Sequence, residues 1–130
     1  MAKNIFLAST GPKSGKSIIC LGLINALRGT VSNVGYFKPV GQKYRKNEEY
    51  DKESIMIKEI FGIEDDLKLI NPISMRELNH YITNSDSETF FRKVQEAYRE
   101  IEKDKDIVVI DGTDHLGMMS AFEFDINADV

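Results

Sequence analysis

The chain has 130 residues, 42% of them apolar and 29% charged, which suits one domain with a single modest core. A formal net charge of -4 argues against a large basic footprint for nucleic acid or an anionic membrane. The single cysteine, Cys20, excludes an internal disulfide and thiolate-held metal, and among Ile18, Ile19, Leu21 and Leu23 it reads as a small buried apolar residue.

The first apolar run, Ile5-Phe6-Leu7-Ala8, is too short for a signal peptide or a membrane span, so the cytoplasm is the expected compartment. It has the character of a buried parallel strand and stops at a Gly/Pro/Ser-rich turn. Lys16 to Arg28 is apolar almost all round and predicts a buried helix ending near Gly29, with close packing expected at Gly22. Val34-Gly35-Tyr36-Phe37 predicts a second strand, ending at Lys38-Pro39, and Gln42 to Tyr50 a polar loop. Ser54 to Phe61 fits a short helix with Ile57, Ile60 and Phe61 on one face, ended by Gly62. Leu67 to Ile73 is read as a brief strand, which Pro72 confines to an edge or a loop.

Ser85 and Glu88 have capping-box spacing ahead of Phe90, Phe91, Val94, Ala97, Tyr98 and Ile101, the clearest amphipathic pattern in the chain. Asp106 to Asp111 predicts a third buried strand, and Ala121 to Val130 begins another helical pattern. This alternation favours an α/β fold with a mostly parallel sheet covered by helices and ligand chemistry at the carboxyl ends of the strands.

The strand-to-helix turn reads Ser9-Thr10-Gly11-Pro12-Lys13-Ser14-Gly15-Lys16-Ser17. Gly11 and Gly15 let successive amide N–H groups face phosphate oxygens, and the helix that follows adds the positive end of its dipole. Thr10 through Ser17 therefore form a candidate phosphate cradle, or P-loop. Within it Lys16 can reach the terminal phosphates, and the Ser17 hydroxyl is placed for Mg²⁺. The spacing is a variant, since Thr10 holds the usual first glycine position. Asp111, ending an apolar strand, suits a second Mg²⁺-side carboxylate, although an aspartate there also caps turns. Lys38 closes the second strand and is expected near the same crevice, while Asp51 either adds a carboxylate to the metal site or lies apart from it. His115 reads as a surface residue near the Asp111 turn, His80 carries no message, and no Ser/His/Asp triad is discernible.

Together the variant P-loop, the Lys38-Pro39-Val40 strand ending and the acidic end of a later strand resemble the dethiobiotin synthetase-like branch of P-loop proteins. Within that branch, Ala8-Ser9-Thr10-Gly11, Gly35-Tyr36-Phe37-Lys38-Pro39-Val40, Asp111-Gly112-Thr113-Asp114 and Phe122 to Ala128 are similar to the N-terminal domain of phosphate acetyltransferases and related DRTGG-domain proteins. The resemblance implies a P-loop NTPase-like three-layer sandwich that binds ATP and Mg²⁺. Lys16 and Ser17 would hold phosphates and metal, Lys38 would stand beside the transferred group, and Asp51 and Asp111 would complete the metal shell. The family usually has glutamate at the position of Asp111.

The implied role is a nucleotide-binding or regulatory module, with catalysis elsewhere in a longer polypeptide bearing a DRTGG or acetyltransferase region. The alternatives are an ATP-dependent carbamate-activating ligase, with Lys16 and Lys38 catalytic, and a partition-type ATPase switch, which the Thr10 position disfavours. Residues 1–130 are expected to form a single nucleotide-binding domain that stops short of the family's full sheet, without a complete active site. A homodimer covering the exposed sheet edge remains open.

Overall fold

The computed structural model describes residues 3–7, 16–41 and 44–112, apart from the side chain of Lys16. Three strands, β1 (Lys3–Leu7), β2 (Val34–Phe37) and β3 (Ile107–Asp111), form a parallel sheet in the order β1-β3-β2. In its register Ile5 and Tyr36 both pair with Val109, and Phe6 and Phe37 both pair with Ile110. Side chains alternate between faces along a strand, so Tyr36, Val109 and Asp111 share one face and Phe37 and Ile110 the other.

Helix α1 (Lys16–Arg28) packs on the sheet through the buried pair Cys20 and Ile24, one turn apart. Phe37 faces α5 (Ser87–Glu102), where its ring meets Tyr98 at 5.5 Å between centroids. Phe90, Val94, Ala97, Tyr98 and Ile101 give α5 one apolar stripe at helical spacing, and all are buried. The result is the expected α/β architecture, a parallel sheet between helices. Between β2 and α5 lie α2 (Lys52–Phe61), α3 (Leu67–Ile70) and α4 (Met75–Thr83).

Several local expectations are corrected. Strand β1 is only half-buried, because among the described residues it pairs on one side alone, with β3. Helix α1 is not buried all round: Ile18 and Ile19 are 77% and 57% exposed, while Cys20 and Ile24 are buried and Leu21, Leu23 and Leu27 pack half-buried against the core. No close packing explains Gly22, whose added Cβ would meet nothing within 4 Å among the described residues. Gly62 ends α2 as expected, in the left-handed conformation (φ 62°) that glycine adopts without strain. Ile60 points outward at 58% exposure, so the buried face of α2 runs through Ile57.

The segment from Leu67 is a helical turn rather than a strand. Its buried Ile70 reaches the core, and chain pairing reappears only as a single parallel bridge between Ile73 and Val40. Helix α4 was not anticipated, although it has a complete capping box: Ser74 accepts from the Glu77 N–H and Glu77 reaches back to the Ser74 N–H. The box expected at Ser85 is absent. Ser85 has φ 52°, and Asp86 caps α5 by accepting from the Thr89 N–H. The helical pattern from Ala121 to Val130 lies outside the described residues. Among the described residues no helix is long and apolar enough to cross a membrane.

Candidate functional site

Strand geometry delivers the central cation. Lys38 is the residue after β2 and, two positions from Tyr36, emerges on the same face; it is 1% exposed. Its ammonium lies 3.1 Å from Glu53 Oε2, 3.5 Å from Asp51 Oδ1 and 3.6 Å from Asp111 Oδ2. Burial alone would lower the lysine pKa. The carboxylates of Asp111, Asp51 and Glu53 outweigh it, so the ammonium titrates above its ordinary value.

Each carboxylate has its own local cause. Asp111 is the last residue of β3, and the Tyr36 phenol donates to its Oδ2 at 2.7 Å. Burial raises the phenol well above the ordinary tyrosine value, and neighbouring Asp111 adds to that, so Tyr36 stays a neutral donor. Asp51 is the N-cap of α2, its Oδ1 accepting from the Glu53 N–H at 2.8 Å. Glu53 stands in the first turn of that helix, where the dipole favours an anion. The Ser17 hydroxyl donates to Glu53 Oε1 at 2.5 Å, tying the start of α1 to the start of α2.

Asn71 supports this arrangement from below. Its amide donates to the Lys38 carbonyl at 3.0 Å, and its Oδ1 accepts from the Asp51 N–H at 3.0 Å. The 70–73 segment also accepts from the Lys38 N–H through the Ile70 carbonyl at 2.8 Å. Gly41 lets the Tyr44 hydroxyl approach closely, since an added Cβ would overlap that hydroxyl and come to 3.0 Å from Asn71 Oδ1. At the β1 end, the Gly112 N–H donates to the Leu7 carbonyl at 2.8 Å, so the chain leaving β3 stays beside the chain leaving β1.

Of the residues expected at the site, Ser17, Lys38, Asp51 and Asp111 stand together around one point. Thr10, Gly11, Pro12, Lys13, Ser14 and Gly15 lie outside the described residues, as do the side chain of Lys16 and all of His115. His80 is exposed and contacts Asn84. Sequence reasoning missed Glu53, Tyr36 and Asn71. A period-of-two reading of β2 would have put Tyr36 on the face of Lys38, and the Asp51/Glu53 pair marks a helix start. Asn71 had no local signal.

As chemistry, the Asp51, Glu53 and Asp111 carboxylates and the Ser17 hydroxyl are hard oxygen donors of the kind that Mg²⁺ takes. With Lys38 among them, no group of three His, Cys, Asp or Glu side chains among the described residues is arranged to hold a metal ion.

A parallel sheet between helices, with charged side chains gathered where β2 and β3 end and α1 begins, defines the P-loop NTPase-like class. The chain belongs to the AAA_26 family: the family profile, described as an AAA domain, matches residues 3–130. The phosphate acetyltransferase of Nitratidesulfovibrio vulgaris is 30% identical over 130 residues, covering 100% of this chain and 18% of that enzyme. The phosphate acetyltransferase of Synechocystis sp. is 25% identical over the same span. The ATP-dependent dethiobiotin synthetase BioD of Caldicellulosiruptor saccharolyticus is 26% identical over 115 residues, 85% of this chain and 47% of the synthetase. The chain thus spans less than half the length of each of these relatives.

Proposed function

We propose that residues 1–130 form a nucleotide-binding domain that takes ATP with Mg²⁺. Its role would be that of a regulatory or ligand-sensing module in a phosphate acetyltransferase- or DRTGG-type protein of the cytoplasm. The observation that carries the reading is the convergence of Lys38, Asp51, Glu53, Asp111 and Ser17 at the strand ends beside the start of α1. The motif supplies the remainder: amides from Thr10 to Gly15 would cradle phosphate and Lys16 would meet the terminal phosphates.

Magnesium, when bound, would neutralise phosphate charge, with the Ser17 hydroxyl and the Asp51 and Asp111 carboxylates to hold it. Tyr36 orients Asp111 and, being buried and neutral, does so across the physiological range. Lys38 offers a point charge to a terminal phosphoryl oxygen. In a module these groups bind and report; in an enzyme the same lysine would stabilise a transferred phosphoryl group.

The likeness to ATP-dependent dethiobiotin synthetases over 85% of this chain favours a second reading, an ATP-dependent carbamate-activating ligase. Calorimetric titration with ATP and Mg²⁺ tests what both share. Wild type is expected to bind and Lys16→Ala to lose binding by at least about tenfold, as for a phosphate-contacting charge. Absence of ATP binding by the wild type would overturn both. ATP turnover dependent on a diamine and bicarbonate would decide for the ligase.

A further inference from the structure

The lysine at the centre of the site does more than wait for phosphate. Its ammonium sits among the three carboxylates that the nucleotide reading assigns to or near the cation, at 3.1 to 3.6 Å from each. Only the Glu53 contact is a hydrogen bond; the Asp51 and Asp111 contacts are longer ionic approaches. Glu53 also receives the Ser17 hydroxyl, so one carboxylate holds both the lysine and the hydroxyl assigned to metal. A lysine ammonium is a compact charge on a flexible stem, able to exchange partners without backbone movement.

We propose that Lys38 is a built-in competitor for the divalent cation. In the ligand-free protein its ammonium occupies the Asp51, Glu53 and Asp111 carboxylates, and it releases them only when an incoming phosphate offers it another anion. The inference rests on the nucleotide reading and adds a rule to it: metal and phosphate enter together, and neither enters well alone.

The physical reason is a balance of charges. A divalent ion entering alone must displace Lys38, leaving an ammonium buried without its carboxylates, and must also shed water, which Mg²⁺ does reluctantly. Phosphate entering alone must draw Lys38 away from three carboxylates, each of which loses its ionic contact with the ammonium. When both arrive, each carboxylate and the lysine keep an opposite charge beside them. Linkage then requires that the metal strengthen phosphate binding by the same factor as phosphate strengthens metal binding.

The test is Mn²⁺ binding to the purified protein without nucleotide, read from the loss of the free-ion electron paramagnetic resonance signal. Wild type is expected to take up Mn²⁺ weakly, and Lys38→Met at least about tenfold more tightly, within the usual range of coupling between sites. Lys38→Gln, whose amide still donates to the carboxylates, guards against a variant that does not fold. Thermal melts provide a second readout, with Mn²⁺ raising the midpoint of either variant more than that of wild type. Equal or weaker Mn²⁺ binding by folded variant protein, including none by either protein, overturns the competition. These arms contain no nucleotide, so failure of ATP to bind wild type is a separate result that strikes only the nucleotide reading.

Discussion

Replacing Asn71 by alanine tests whether the site is held from below. The residue is 3% exposed, and its amide serves two backbone groups from different segments, the Lys38 carbonyl and the Asp51 N–H. Alanine leaves both buried without that partner. At about 1–3 kcal/mol for each unmet buried group, the loss comes to about 2–6 kcal/mol. A domain of ordinary stability has about 5–15 kcal/mol in all, so the variant should be visibly weakened. In urea unfolding followed by circular dichroism, a loss of about 3 kcal/mol moves the midpoint down by about 1–3 M for slopes typical of small proteins. Asn71→Asp keeps the acceptor for Asp51 but sets a buried carboxylate oxygen against the Lys38 carbonyl, so near neutral pH it should cost at least as much as alanine. A loss under about 1 kcal/mol for Asn71→Ala would show that the two backbone groups find other partners and would refute the reasoning.

Alkaline pH should unfold the protein through the same site. Tyr36 and Lys38 both titrate above their ordinary values when folded, so the fold favours their protonated forms. Their contribution is complete below the unfolded values, about 10 for tyrosine and 10.4 for lysine, and is lost as pH rises through the folded ones. Melting temperature against pH should therefore decline above about pH 10, and Tyr36→Phe should flatten part of that decline; an unchanged profile counts against the assignment. Gly22→Ala should stabilise by about 1 kcal/mol, since the position is helical and open. A destabilised Gly22→Ala would restore the idea of close packing there. Ser74→Ala should cost about 1 kcal/mol in the same melts by removing the α4 cap, and no change would mean that the box contributes nothing.

Sequence alone determined what depends on neighbours in the chain. The apolar runs near Ile5, Val34 and Ile107 announced strands. The stripe from Phe90 to Ile101 announced a helix and Gly62 a helix end, while the P-loop pattern from Thr10 to Ser17 lies mostly outside the described residues. Those signals are local because pleat, helical period and turn chemistry act over a few residues. Local reading failed where two local options competed. Leu67 to Ile73 has a strand's composition, but burial of Ile70 in a helical turn decided its form, and Ser85 yielded the cap of α5 to Asp86.

Only the tertiary structure decided who meets whom. Strand register sets Tyr36 and Lys38 against Asp111, 75 and 73 residues away in the chain, and the docking of α2 brings Glu53 to Ser17. Asn71 joins the Lys38 and Asp51 backbones from a segment whose own sequence carries no hint of it. A residue's value in such a cluster comes from partners distant in sequence and from low dielectric, and neither is written in its immediate neighbours.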